Sequence, residues 1–217
     1  MNYPEIHLPE IYNHFKEIEP QAYHKIIDYF EKNEARIFRL EFEKQFEILI
    51  AYLDALYESG KFIRLLDYVD DAIEASVFHN IKYFNGTDIY RHLLLQKAVA
   101  CFKTLQYEPA ERILKALLKM NPSDETARVL LYQNLVRNHP PFLHKMRGGA
   151  VLLFMASAAV IALELLAIRP FLPALVSVVE PTRNGLFLLG WAVYLLGEVK
   201  HRWHIRRRIQ RFIRSLG

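Results

Sequence analysis

Two apolar stretches near the C-terminus, residues 149–168 and 186–199, constrain the chain most, because they change the solvent in which it folds. The first reads GAVLLFMASAAVIALELLAI and carries one ionisable side chain, Glu164, near its far end. Crossing a hydrocarbon core of about 30 Å takes roughly 20 apolar helical residues, and this stretch is long enough. The second, LFLLGWAVYLLGEV, covers only about 21 Å at about 1.5 Å per residue. It spans if the helix extends back through Asn184 and Gly185 and forward past Lys200, with cationic stems reaching the headgroups. Buried core helices of a soluble domain are the alternative, but no soluble part of suitable size remains to cover them. The sequence therefore predicts an integral membrane protein with spans at about 149–168 and 184–200.

Flanking charge gives the orientation. Lys145 and Arg147 precede the first stretch, and Lys200, Arg202, Arg206, Arg207, Arg208, Arg211 and Arg214 follow the second. The connection 169–184 offers only Arg169 and Arg183 against Glu180. Positive charge collects on the cytoplasmic side, so both termini are expected in the cytoplasm, with the plasma (inner) membrane as the expected location. Pro170, Pro173 and Pro181 argue against one continuous helix through the connection, which is expected to rest at the far interface. The start, MNYPEIHLPE, lacks the basic and apolar regions of a secretory signal.

The overall charge of +4 is unevenly divided. From residue 141 onward, eleven Lys/Arg against Glu164, Glu180 and Glu198 give +8, which leaves −4 for residues 1–140. The basic character belongs to the membrane segment and points to anionic lipid rather than nucleic acid. In the tail, Ile205, Ile209, Phe212, Ile213 and Leu216 fall on one helical stripe among the cations. The expected organisation is a cytosolic helical domain at 1–140, a transmembrane hairpin at 141–199 and a basic amphipathic tail at 200–217. The tail is expected to lie along the cytoplasmic surface, the alternative being a straight continuation of the second span.

Residues 1–140 suit one domain and read as helix throughout. Apolar residues recur at three and four: Ile26, Ile27 and Phe30; Phe38, Phe42, Phe46, Leu49, Leu53 and Leu56; Leu94, Ala98, Cys101, Phe102 and Leu105. Breaks are predicted at Asn33, at Ser59 and Gly60, through the loop 78–86, at 106–109, and at Asn121 and Pro122. Pro20 and Pro109 suit a first helical turn, and Thr87 and Ser123 are candidate N-caps. The fold class expected is all-α: antiparallel helical hairpins, then a membrane hairpin and a tail helix.

Within 94–122, Leu94, Ala98 and Cys101 occupy one helix and Tyr107 marks a turn. Ala110, Leu114 and Leu117 follow on a second helix ending at Pro122. This resembles a tetratricopeptide repeat, a helix–turn–helix unit of about 34 residues. An earlier unit matches more loosely: Leu49, Leu53 and Leu56, the turn Gly60, Lys61 and Phe62, then Leu65, Val69 and Ala72. Leu53 and Leu65 stand where the family has small crossing residues, and both units lack the family's tryptophan. Phe62 and Tyr107 lie 45 residues apart, so an insertion is expected around 77–87, and 123–138 would be a solvating end helix. The resemblance covers residues 37–138 and implies a groove lined by the first helix of each unit. Its candidates are Glu47, Ile50, Asp54, Tyr57 and Glu58, then His92, Leu95, Val99, Phe102 and Lys103. The acidic first set would favour a partner segment containing Lys or Arg.

Catalytic signals are sparse, and no enzyme, metal site or cofactor is predicted. The histidines show no pairing around a glutamate, and His201 with His204 beside arginines suits an interface better than a metal. Cys101 lies on an apolar stripe as a packing thiol. Glu164 inside a span is a functional candidate by default, but its place near Arg169 favours ion pairing over conduction. Two main function classes stay open, beside a third, an enzyme subunit whose catalytic partner is a separate chain. One is a membrane-anchored adaptor binding a protein or peptide, with anionic lipid headgroups at its tail. The other is a membrane-active effector or channel, with the helical domain as sensor. Ser157, Ala158, Ala159, Ala162, Gly190 and Gly197 permit close packing, within the hairpin or in a homo-oligomer through the spans.

Overall fold

The computed structural model describes residues 8–138, 140–171 and 173–216. The N-terminal stretch read for a secretory signal lies outside them as far as His7, as does His139. The chain divides into two compact units, Met1–Asn134 and Leu135–Gly217.

The first unit is a row of packed antiparallel helices: α1 (Leu8–Lys16), α2 (Tyr23–Ile37), α3 (Phe42–Glu58), α4 (Phe62–Phe78), α5 (Ile89–Lys103), α6 (Tyr107–Met120) and α7 (Glu125–Arg137). This arrangement is compatible with a helical-repeat fold. The apolar residues at three- and four-residue spacing face inward: Ile26, Ile27, Phe30, Phe46, Leu49, Leu53, Leu56, Leu65, Val69 and Ala72 are buried. Each fully buried large side chain contributes roughly 1.5–3 kcal/mol. An aromatic cluster ties α2, α3 and α4 together. Phe30 stacks on Tyr52 at 3.9 Å, and Tyr68 meets both rings edge-on while its hydroxyl donates to Glu34 at 2.6 Å.

Side-chain bonds skip one helix along the row. Tyr12 and Lys16 of α1 reach Glu47 of α3, His92 and Gln96 of α5 reach Asp54 of α3, and Arg91 of α5 reaches Asp124 before α7. On the other side, Tyr68 and Arg64 of α4 reach Glu34 and Glu31 of α2. Odd-numbered helices therefore neighbour one another along one face, and α2 neighbours α4 on the other.

Three helix ends share one geometry. Gly60, Asn80 and Leu105 adopt positive φ of 70°, 52° and 64°. The following amides of Lys61, Ile81 and Gln106 each bond back five residues, to Leu56, Ser76 and Cys101, which is the Schellman closure. Gly60 and Leu105 are equivalent in the two helix pairs, as are the edge-on rings Tyr57–Phe62 and Phe102–Tyr107. The 45-residue offset read from the turn aromatics is thus carried by backbone geometry as well. A leucine in this conformation costs roughly 1–2 kcal/mol, against about 0.5–1 kcal/mol of extra chain entropy for glycine. Leu105 is two-thirds exposed and contributes little packing. Leu105→Gly is expected to stabilise the unit by about 0.5–1 kcal/mol, read as a higher urea midpoint. A lower midpoint would refute the left-handed assignment.

Several local expectations require correction. Asn33 does not break α2; its side-chain amide donates to Tyr29 O at 2.9 Å and the helix runs on to Ile37. Pro20 lies in the turn before α2 rather than in its first turn. The predicted loop 78–86 contains a hairpin, Tyr83–Phe84 against Thr87–Asp88. Its turn residues Asn85 and Gly86 have φ of 48° and 77°, the conformation an Asn-Gly hairpin turn demands. Phe84 folds back edge-on against Phe46. The caps also shift by one residue: Asp88 accepts from Arg91 N and Asp124 from Ala127 N, in place of Thr87 and Ser123. A carboxylate at either site adds a favourable charge at the positive helix end. The end helix α7 is more than a solvating cover, since Ala127, Leu131 and Leu135 are buried.

The second unit pairs α8 (Pro141–Leu163) with α10 (Val176–Arg214). A π-helical turn, Glu164–Ile168, and the short α9 (Arg169–Phe171) continue α8, and a 3-10 turn, Pro173–Leu175, leads into α10. Among the described residues, one helical stretch, Phe142–Phe171, is long and apolar enough to cross a membrane. The connection is much shorter than 169–184, because α10 starts at Val176 and includes Pro181. Proline there lies within the first two turns, where loss of its amide costs one internal bond. Nor does the helix break at residue 200. Between Gly197 and Arg214 no proline or glycine interrupts it. Residues 200–214 are part of α10 rather than a separate helix.

Candidate functional site

Two of the depressions on the first unit bring groove candidates together. The larger, about 550 Å³, is lined by Tyr57 at the end of α3, by Leu95, Val99, Phe102 and Lys103 of α5, and by Glu125, Thr126, Val129, Leu130 and Gln133 of α7. Its floor is apolar and aromatic, with Lys103 and Glu125 exposed on its rim. The smaller, about 310 Å³, lies among α1, α2, α3 and the hairpin, and includes Glu47, Ile50 and Asp54. Five of the ten groove candidates thus meet in the first depression and three in the second. Glu58 and His92 line neither.

Three of the polar candidates, Glu47, Asp54 and His92, bond to neighbouring helices. Asp54 Oδ1 lies 2.8 Å from His92 Nε2 and accepts from Gln96 Nε2 at 2.6 Å. Glu47 accepts from the Tyr12 hydroxyl at 2.5 Å and from Lys16. Burial works against the Glu47 carboxylate, but these two donors outweigh it and hold its pKa below the usual range. Glu47 and Asp54 therefore bind helix to helix, while Glu58 is exposed outside both depressions. What stays open is the apolar surface of Tyr57, Leu95, Phe102, Val129 and Leu130. The α7 residues were missed because that segment was read as a cover. Its place as the next odd helix in the row was the available signal.

Cys101 of α5 is 2 % exposed, and burial pushes its thiol pKa up, the opposite of an activated nucleophile.

In the second unit the charges are paired across the two helices. Glu164 is fully buried and accepts from Arg169 at 2.9 and 3.0 Å and from Arg183 at 2.8 Å. At the opposite end Arg147 donates to Glu198 at 2.5 and 3.0 Å. Between these pairs two glycines of α10 receive side chains of α8. A Cβ on Gly190 would sit 2.8 Å from the Phe154 ring, and one on Gly197 would sit 3.2 Å from Met146 Cβ. Lys200, Arg202, Arg206, Arg207, Arg208, Arg211 and Arg214 are all exposed along the last turns of α10. Lys200 lies over the Phe142 ring and Arg207 over Trp203. Ile205 and Ile209, expected in the acyl boundary, are buried.

The chain matches no protein-family model, no curated protein and no solved structure.

Proposed function

We propose that this protein is a membrane-anchored helical-repeat adaptor of the tetratricopeptide type, holding a protein or peptide partner at the cytoplasmic face. The observation that carries the reading is the groove built from three successive odd helices. A row of helical hairpins presents one such face, and this one offers Tyr57, Leu95, Phe102, Val129 and Leu130 to an apolar segment. Anchoring would raise the effective concentration toward membrane-bound partners. The two-span hairpin with both termini cytoplasmic, in the plasma (inner) membrane, belongs to the same proposal. So does contact of the seven exposed α10 cations with anionic headgroups. The channel alternative draws on Glu164, whose pairing with two arginines suits closure of a hairpin better than ion passage.

Leu95→Asp and Val129→Asp should strip bound proteins from the detergent-solubilised protein. Ile63→Asp, at a site three-quarters exposed on α4, should leave them bound. An apolar anchor buried at such an interface is worth roughly 1.5–3 kcal/mol, or ten- to a hundredfold in affinity. Equal retention by all three variants would remove the groove from the proposal.

A further inference from the structure

The apolar core of α10 is bounded by Arg183 and Glu198, and that of α8 by Arg147 and Glu164. Each helix thus carries arginine at its N-terminal edge and glutamate at its C-terminal edge. Antiparallel packing sets each arginine against the other helix's glutamate. The uncharged intervals are 148–163 on α8 and 184–197 on α10. At about 1.5 Å per residue they are roughly 24 and 21 Å long, a matched apolar slab slightly thinner than a bilayer core. Alone, α10 would bring Arg183 and Glu198 to the edges of hydrocarbon unpaired, and ionisable groups at membrane depth are costly unless partnered. Between the pairs, Gly190 leaves room for the Phe154 ring and Gly197 for Met146, so the two helices pack side by side.

We infer that α10 crosses the membrane only as the charge-matched partner of α8, the two ion pairs fixing its position. The inference rests on the two-span reading given under Proposed function and adds what makes the weaker span cross. In this arrangement the pairs at either end decide on which side the basic end of α10 finishes. Positive charge in the tail favours the cytoplasm, and the pairing lets the preceding segment follow.

The full chain is used, with Cys101→Ser and one probe, Ser177→Cys or Ser215→Cys, labelled on intact cells by an impermeant thiol reagent. The parent should be labelled at 177 and protected at 215. Arg147→Glu and Glu198→Arg should each lose protection at 215 while keeping labelling at 177, because α8 still crosses. Glu198→Arg adds cytoplasmic positive charge, so bulk charge alone would strengthen its protection. Lys145→Glu changes charge equally at an exposed neighbouring residue and should remain protected. The swap Arg147→Glu with Glu198→Arg should regain protection. Single variants that stay protected, a swap that does not recover, or Lys145→Glu matching Arg147→Glu would each overturn the inference. A single variant that fails to accumulate supports pairing if the swap restores it and opposes pairing if it does not. Labelling of the parent at 215 would instead defeat the two-span reading itself.

Discussion

Replacing Asp124 by alanine is expected to destabilise the helical unit by about 2–4 kcal/mol, whereas Ser123→Ala should change it by less than about 0.5 kcal/mol. The Asp124 carboxylate is 3 % exposed and serves two helices at once. One oxygen caps α7 through Ala127 N at 3.1 Å, and the other accepts from Arg91 Nε and Nη2 of α5, both at 2.8 Å. Loss of a cap costs about 0.5–2 kcal/mol. Removing one member of a buried ion pair costs about 3–5 kcal/mol. Arg91 keeps 39 % of its side chain in water, which discounts the second figure. Urea denaturation of the fragment 1–140, followed by helical circular dichroism, measures the difference. Equal midpoints for the two variants would return the cap to Ser123 and detach α7 from α5.

That one-residue error shows where the sequence was and was not legible. Serine and aspartate are both good caps, and periodicity alone cannot choose between neighbours. The choice at 124 was made by Arg91, 33 residues away, whose position depends on the tertiary fold. Helix content and the pairing of α3 with α4 and α5 with α6 were legible because apolar spacing is local. The Asn85–Gly86 turn was legible in principle. The strands it joins are only two residues each, too short for alternation to register. The contacts of the acidic groove residues were illegible for a different reason. Glu47 and Asp54 do lie on the face shared by odd helices, but their partners come from α1 and α5, where Tyr12, Lys16, His92 and Gln96 consume them. The same non-locality affects α10. Its apolar run reads as too short while considered alone, and the facing charges on α8 are invisible until the antiparallel register is known.

The close crossing of α5 and α6 gives the second large effect: Ala110→Trp should lower stability by about 1–3 kcal/mol or more. Ala110 is fully buried on α6, and Ala98 of α5, the small residue that the repeat resemblance sets against it, is 1 % exposed. The corresponding residues of the preceding pair are Leu53 and Leu65, both fully buried. That crossing must accommodate two isobutyl groups where α5 and α6 accommodate two methyls. A side-chain series should therefore be graded. Ala110→Ser is expected to be mild, Ala110→Leu intermediate, and Ala110→Trp severe because an indole cannot enter without displacing α6. Displacement would carry Leu114 and Leu117 out of the core and weaken the turn at Leu105. Arg112→Trp, on the exposed side of the same helix, should stay within about 0.5 kcal/mol. Thermal melts of the fragment 1–140 test the series. If Ala110→Trp melts like the parent, the helices do not cross closely there, and the repeat reading loses the contact on which it depends.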